Sequence, residues 1–355
     1  MVRGTKNRLN RYNFYAPRGV LVDYADYELL EFFVKNLKER LKKEGGVVLR
    51  VEPYVIPRER DIDGKIVEGG EEHLEEIKNI EKAGFKKVPY VEGVSQICWQ
   101  FVLDVKGKSE EEIWNEIHAK TQKRIKQAET YGVWVEELDY DQIGEFYDVF
   151  VGTAGRRGFE ARNLAYFQKM YKNFHDQGEI KYISVKINPK KTIALFEKNK
   201  EEILKRETNS IREKHEKANA LKSANTKIER IKTMFSGRED EDITLSSGMF
   251  LTMKPEILHL FGGNEGKYMK LDGQYILQWE MIKMAREQGY DRYNFYGIAA
   301  NIDKKPQGYG VYEFKRGFSG KVEELAGEYD LPLRRGYYLR GMILRFKRFA
   351  VRKKR

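Results

Sequence analysis

Residues 27–51 read YELLEFFVKNLKERLKKEGGVVLRV, and the fold is decided by how this stretch is read. Leu29, Leu30, Phe33, Val34, Leu37 and Leu41 recur at three- and four-residue steps, which lays one apolar stripe along a helix over 27–44. Gly45-Gly46 ends it, because glycine accepts the left-handed backbone that follows a last helical turn. Val47–Val51 is then apolar except at Arg50, the pattern of a strand covered on both faces. Phe14–Ala16, upstream, reads as the end of another strand, left by the loop Pro17-Arg18-Gly19. Strand, helix and strand in that order make the crossover unit of an α/β fold.

Working outward, a helix is expected over 71–83, closed by Gly84. A strand over 96–105, a helix over 109–130 closed by Gly132, and a strand over 133–138 follow. Further helices fit 139–151 and 162–175, with Gly178 as a stop before a strand over 180–187. Ile243–Met253 reads as a strand, 273–288 as an amphipathic helix and Arg292–Ile298 as a strand. The series 10–16, 27–44, 47–52 thus parallels 243–253, 273–288, 292–298, and the chain reads as two copies of one fold. The elements at 133–187 have no counterpart before residue 10, so the first copy is expected to be incomplete at its N-terminus. Expected domains are 1–132 and 133–330, with a basic tail at 331–355. The pentapeptide RYNFY occurs at 11–15 and again at 292–296, but on different strands of this alignment, so the echo is treated as chance.

Residues 190–237 differ in character. Leu221, Ala224, Ile228, Ile231 and Phe235 step by three and four, a heptad seam. Ile193, Phe196, Ile203 and Ile211 make a weaker seam on the incoming side, and the rest is nearly all Lys, Glu, Arg and Asn. Two antiparallel helices projecting as an arm would produce this; a plain solvated helical excursion would as well.

Composition sets limits. A hydrophobic fraction of 41% and an aromatic fraction of 13% belong to a folded chain. The single cysteine, Cys98, allows neither an intramolecular disulfide nor a cysteine-held zinc. The five histidines show no metal-ligand spacing, so neither metal nor cofactor is expected. The N-terminus lacks the apolar run of a signal peptide, and no stretch approaches the roughly 20 apolar residues of a membrane span. A cytoplasmic location is expected. The net charge of +11 favours polyanionic partners. There is no Walker loop, no GxGxxG and no GxSxG. The pyrophosphate loop of acetyl-CoA-dependent acetyltransferases, which cradles phosphate with backbone N–H groups, is missing too.

Three segments carry candidate chemistry. In Tyr309–Phe318 cations stand among aromatics and glycines, and Lys315, on a strand, would present a charge able to stabilise an oxyanion. The alternative is that Lys315 and Arg316 are surface cations on an edge strand. In the second segment, Arg156-Arg157-Gly158-Phe159, Arg162 and Tyr166 follow one helical turn apart, an arginine fork beside a hydroxyl that suits a diphosphate or carboxylate. An arginine-rich helix start would look the same. The third, Tyr268–Tyr275, runs into a helix for which Asp272 is a possible cap.

Taken together the chain resembles the FemABX family of peptidyl aminoacyltransferases. The resemblance rests on Tyr15-Ala-Pro-Arg-Gly19, Val48-Leu-Arg-Val-Glu-Pro53, Phe261-Gly-Gly-Asn264 and Tyr275-Ile-Leu-Gln-Trp-Glu-Met-Ile282. It continues through Tyr293-Asn-Phe-Tyr-Gly-Ile298 and Tyr309-Gly to Phe314-Lys-Arg-Gly-Phe318. It implies two acetyltransferase-like domains, the second carrying an inserted helical coiled-coil arm. It also implies transfer of Gly, Ala or Ser from an aminoacyl-tRNA to the side-chain amine of a cell-wall precursor, lipid II or UDP-MurNAc-pentapeptide. By the same resemblance Phe314 and Lys315 assist catalysis. Arg162, Tyr166 and Tyr268, with Tyr275 close by and Arg316 beside the lysine, bind substrate. A lysine of the family's opening segment has no counterpart here.

The predicted reaction is aminolysis of an ester by the substrate's own amine, with no acyl-enzyme. Arg345, Lys347, Arg348, Arg352 and Lys353 are expected to hold the tRNA backbone. Tyr337–Ala350 suits either a helix on an anionic membrane face or a docked terminal helix. Two rivals are an acetyl-CoA-dependent N-acetyltransferase and a non-catalytic RNA-binding or scaffold protein.

Overall fold

The computed structural model describes residues 2–7, 10–91, 95–299, 308–334 and 337. The chain begins with β1 (Arg3–Lys6), β2 (Tyr12–Ala16), α1 (Tyr27–Lys43), β3 (Gly46–Val51), α2 (Leu74–Lys82), β4 (Lys86–Lys87) and β5 (Trp99–Asp104). Next come α3 (Glu110–Glu116), α4 (Ala119–Glu129), β6 (Trp134–Glu137), α5 (Ile143–Arg157), α6 (Leu164–Phe174) and β7 (Ile180–Ile187). The helices α7 (Pro189–Lys205) and α8 (Ile211–Met234) follow, then β8 (Ile243–Met253), β9 (Glu256–Asn264) and a 3-10 turn, Gly266–Leu271. Last are α9 (Gly273–Glu287), β10 (Arg292–Gly297), α10 (Tyr309–Arg316), β11 (Lys321–Glu324) and β12 (Tyr329–Pro332).

The described residues fall into two compact units. One is drawn from Met1–Phe101, Gly297–Tyr312 and Lys321–Arg355, the other from Val102–Tyr296 and Glu313–Gly320. The division lies within β5 and not at the expected 132/133. The reason is packing: Ile125 and Ala128 of α4 are fully buried, and Arg124 reaches Asp272 at the start of α9, so α4 belongs with the later elements.

In the first unit the sheet order is β1-β2-β3-β12-β4. β2 and β3 run parallel, joined by α1 as the opening stretch dictates. Asp26 caps α1 by accepting from the Leu29 N–H at 2.9 Å. Leu30, Val34 and Leu41 lie on its inner face, each contributing about 1.5–3 kcal/mol by burial. The charge inside the apolar strand β3 is accounted for: Arg50 grips Asp330 with two nitrogens, at 2.8 and 3.1 Å, and Glu328 at 3.1 Å. β1, before the first expected strand, pairs antiparallel with β2.

In the second unit β6, β7, β8 and β9 form an antiparallel run, and β10 joins β9 in parallel. The crossover therefore starts from β9, not from β8 as expected. β9 was missed because Pro255 and the pair Gly262-Gly263 give it the look of a loop. A bulge at Leu260 lets His259 oppose Phe250 while Phe261 opposes Met249. Phe261 consequently packs among Phe150, Phe167 and Tyr166 of α5 and α6, whereas His259 meets Gln278 of α9. The two helical layers thus cover opposite faces of the sheet. The expected single helix over 109–130 is two, because Ile117 and His118 are extended and the His118 N–H donates to Gly317 O at 3.1 Å.

The helices α7 and α8 pack on each other; of the expected seam Phe196, Ile203, Ala224, Ile228 and Ile231 are buried, and Phe196, Ile228 and Ile231 join a core cluster with Tyr131, Ile187 and Leu245. Ile211 is not part of it; at the first turn of α8 it is 77% exposed.

Candidate functional site

Lys315 lies on the helix α10, not on the expected strand. Its side chain is turned inward, 8% exposed, and Nζ donates to the carbonyl oxygen of Tyr296 at 3.1 Å. Tyr296 holds a left-handed φ of 64°, rare for an aromatic residue, with its N–H bound by Asn294 Oδ1 at 2.7 Å. The local bend aims that carbonyl at the lysine. Burial lowers the Lys315 pKa from 10.5 to about 7, since an ammonium loses its hydration there. Phe314 and Phe318 pack on Tyr275 with ring centres 5.0 and 6.0 Å away. Phe314, Phe318 and Tyr275 thus form a cluster of three aromatic rings around the end of the helix that carries Lys315.

His259 of β9 is stacked on Phe250 at 4.7 Å. Burial, and next the charge of Lys315, hold its pKa down to about 3, so the ring is neutral at physiological pH. Asp272 does not cap α9. Its carboxylate is 2% exposed and takes Arg124 Nη1 on both oxygens at 3.1 Å. Burial raises the Asp272 pKa while the arginine opposes the rise. Tyr275 is within reach of both charges.

The other expected residues are distributed. Arg162, exposed, sits 5.6 Å from the ring centre of Tyr166, a cation–π pair at the start of α6. Tyr166 is held edge-on by Phe167 at 5.3 Å and Phe261 at 6.3 Å. This pair belongs to the α5/α6 face, the reverse of the face that carries His259. Arg156 is used within the fold: it donates to Thr153 Oγ1 at 3.0 Å and to the Asn264 carbonyl, tying α5 to the end of β9. Tyr268 stands apart from both groups. It is 5% exposed, stacked on Phe235 at 4.6 Å, with its hydroxyl 3.4 Å from Arg238. The structure therefore brings Phe314, Lys315 and Tyr275 together, places Arg316 partly exposed at the end of the same helix, and assigns Tyr268 to a core. Arg345, Lys347, Arg348, Arg352 and Lys353 lie outside the described residues.

His259, Gln278 and Arg124 escaped the sequence reading. A histidine shortly before paired glycines is the one signal that pointed to a ring pressed against backbone. Among the described residues no group of His, Cys, Asp or Glu is placed to hold a metal, and no helix is long and apolar enough to cross a membrane.

The FemAB family model matches residues 4–344. "Aminoacyltransferase FemB" of Staphylococcus epidermidis is 27% identical over 353 residues, covering 93% of this chain and 81% of that protein. "Aminoacyltransferase FemA" of the same organism is 26% identical over 341 residues, covering 92% and 81%. The crystal structure of FemX shares the fold, with a TM-score of 0.75 at 23% identity over 95% of this chain and 85% of that one.

Proposed function

The chain belongs to the FemAB family, and from that premise we propose that it moves an amino acid from an aminoacyl-tRNA to the side-chain amine of a peptidoglycan precursor, building the interpeptide bridge of the cell wall. The observation that carries this reading is the family match, which runs over nearly the whole chain and takes in Phe314 and Lys315.

The chemistry is ester aminolysis. The neutral amine of the acceptor attacks the ester carbonyl and forms the C–N bond. The ribose oxygen of the tRNA leaves with the bonding pair and takes up a proton, while the amine loses one. The reaction runs downhill, so the main task is to place two large substrates. Lys315, as the ammonium, stabilises the oxyanion that forms in between, and its apolar surroundings make that charge more effective than it would be in water. Phe314 and Tyr275 shape the wall beside it, with Arg316 as a further substrate contact. Arg162 and Tyr166 take an anionic or carboxylate part of the precursor.

We read both units as acetyltransferase-like domains, the second bearing the α7–α8 pair as an arm. The precursor is lipid II or UDP-MurNAc-pentapeptide. Cations of the arm and of the tail, Arg345, Lys347, Arg348, Arg352 and Lys353, hold the tRNA backbone. The enzyme works in the cytoplasm, in peripheral contact with the inner membrane face.

The test offers the protein a lysine-bearing precursor together with labelled aminoacyl-tRNA or labelled acetyl-CoA. Label passing from tRNA to the peptide is expected. Transfer from acetyl-CoA, or from neither donor, would overturn the proposal.

A further inference from the structure

The end of α10 is held from a second side, by α4. The His118 N–H, at the start of α4, donates to the Gly317 carbonyl at 3.1 Å. In the first turn of the same helix Thr121 is 5% exposed and buried against that glycine. A Cβ placed on Gly317 would overlap Thr121 Oγ1.

Gly317 shares a closed turn with the lysine. Its N–H donates to the carbonyls of Glu313 and Phe314 at 3.3 and 3.2 Å. The Phe318 N–H closes on the Lys315 carbonyl at 3.0 Å, and the Ser319 N–H on that of Arg316 at 3.1 Å. Two residues of helix turn the chain by about 200°, so Lys315 and Gly317 stand on nearly opposite sides. Lys315 reaches the Tyr296 carbonyl at 3.1 Å while Gly317 meets α4.

The helix α4 is itself anchored. Ile125 and Ala128 are fully buried, and Arg124, close to Thr121 in the next turn, binds Asp272. The Asp272 carbonyl accepts the Tyr275 N–H at 2.9 Å, and the Tyr275 ring packs on Phe314 and Phe318. The helix thus reaches the turn of Lys315 by two routes, one through Gly317 and one through the ring cluster.

We infer that Thr121 and Gly317 are positioning residues for Lys315: their close approach sets the end of α10 against α4 and so fixes where the lysine ammonium lies. A glycine is required for want of space, since a side chain would have to push the two helices apart. This gives a task to the glycine of Phe314-Lys-Arg-Gly-Phe318, which the transfer chemistry leaves unused. It rests on the proposed function only in that the place of the ammonium matters to transfer.

The test moves this contact without altering any charge. Gly317→Ala drives a methyl group into Thr121 Oγ1. In Thr121→Ala/Gly317→Ala that oxygen is gone, and the nearest α4 atom is the Cβ at position 121, at 3.5 Å. Lys315 is read by carbon NMR of the full chain with labelled lysine, its resonance assigned by its loss in Lys315→Met. Its midpoint, lowered to about 7 by burial, should rise towards 10.5 in Gly317→Ala as the displaced ammonium meets water. A rise of about one unit is expected, with return in the double variant. In the transfer assay kcat should fall about 10- to 100-fold in Gly317→Ala, with KM little changed, and recover in the double variant. A glycine with a merely structural role would lower the resistance to urea and leave the Lys315 midpoint unmoved. That result, or a double variant no nearer the unaltered protein than Gly317→Ala, would overturn the inference. If Gly317→Ala does not fold, Thr121→Ala alone decides: it opens a gap against Gly317, so a smaller rise is expected and an unmoved midpoint overturns. The midpoints require no transfer. A chain that shows them yet moves no amino acid would sink the proposed function and leave the positioning contact standing.

Discussion

The ammonium of Lys315 is bound by the carbonyl of Tyr296, a residue held in the left-handed backbone region. One donor position is thereby satisfied while the side chain stays buried. An ammonium so placed is fixed in direction and short of hydration, which suits a group that meets a charge formed only in the transition state.

Replacing Lys315 should therefore affect turnover far more than precursor binding. Lys315→Ala is expected to lower kcat about 10²–10³-fold, the scale for one lost oxyanion donor, with KM for the precursor little changed. The active form is the charged one, so the lysine-dependent contribution should fade as pH rises through about 7. Lys315→Arg, charged throughout, should lose that limb of the pH profile whatever its absolute rate. Steady-state kinetics of the three proteins across pH would check this, and equal profiles for Lys315 and Lys315→Arg would count against it.

The same burial costs stability. The pKa is lowered in the folded state, from 10.5 to about 7, so the unfolded chain binds the proton more tightly between those values. Stability from this group is lowest below about pH 7, where both states are protonated and the fold carries a buried charge, and it increases as pH rises towards 10.5. Lys315→Met should be more stable than the unaltered protein at pH 6, by on the order of a few kcal/mol. The advantage should shrink towards pH 10. Urea unfolding at both pH values is the measurement, and a constant difference would contradict the assignment.

How far these features were visible beforehand depends on scale. The helix over Tyr27–Lys43 and the strand after it follow from period and glycine alone, and the structure keeps both. The α7–α8 seam was legible as far as Ile203 and Ala224, but periodicity could not say where the pairing stops, and Ile211 is exposed. Tyr309–Arg316 was misread because Tyr312 and Phe314 stand two residues apart between Gly310 and Gly317, which has the look of a strand. The spacing that decides the helix is three, since Tyr312 and Lys315 are the buried pair. The bulge at Leu260 left no mark in the sequence, yet it puts His259 and Phe261 on opposite faces. Tyr166, which packs on Phe261, is thereby set on the reverse of the face that carries His259.

Tyr268 offers a direct contrast between a core residue and a binding residue. Its ring is stacked on Phe235 within the cluster that includes Ile231 and Leu271, and its hydroxyl has one long contact, with Arg238. Tyr268→Phe should leave KM, kcat and stability close to those of the unaltered protein. Tyr268→Ala should destabilise by about 3–5 kcal/mol, the usual range for emptying a buried aromatic site. A large KM increase in Tyr268→Phe with normal stability would return this tyrosine to the substrate.

Arg162 should behave in the opposite way. It is exposed, and the Tyr166 ring beneath it is braced by Phe167 and Phe261, so removing the guanidinium disturbs no packing. Arg162→Ala is expected to change stability by no more than about 0.5 kcal/mol. Losing a charge-assisted contact to an anionic substrate group, worth about 1.5–3 kcal/mol, should raise KM for the precursor roughly 10- to 100-fold. kcat should hold, because a contact of this kind acts on ground state and transition state alike. Arg162→Lys keeps the charge but loses the planar fork, so an intermediate KM is expected if the group recognised is a diphosphate or carboxylate. Calorimetric titration of UDP-MurNAc-pentapeptide into both variants separates binding from turnover. Unchanged affinity in Arg162→Ala would leave this pair as surface decoration of α6.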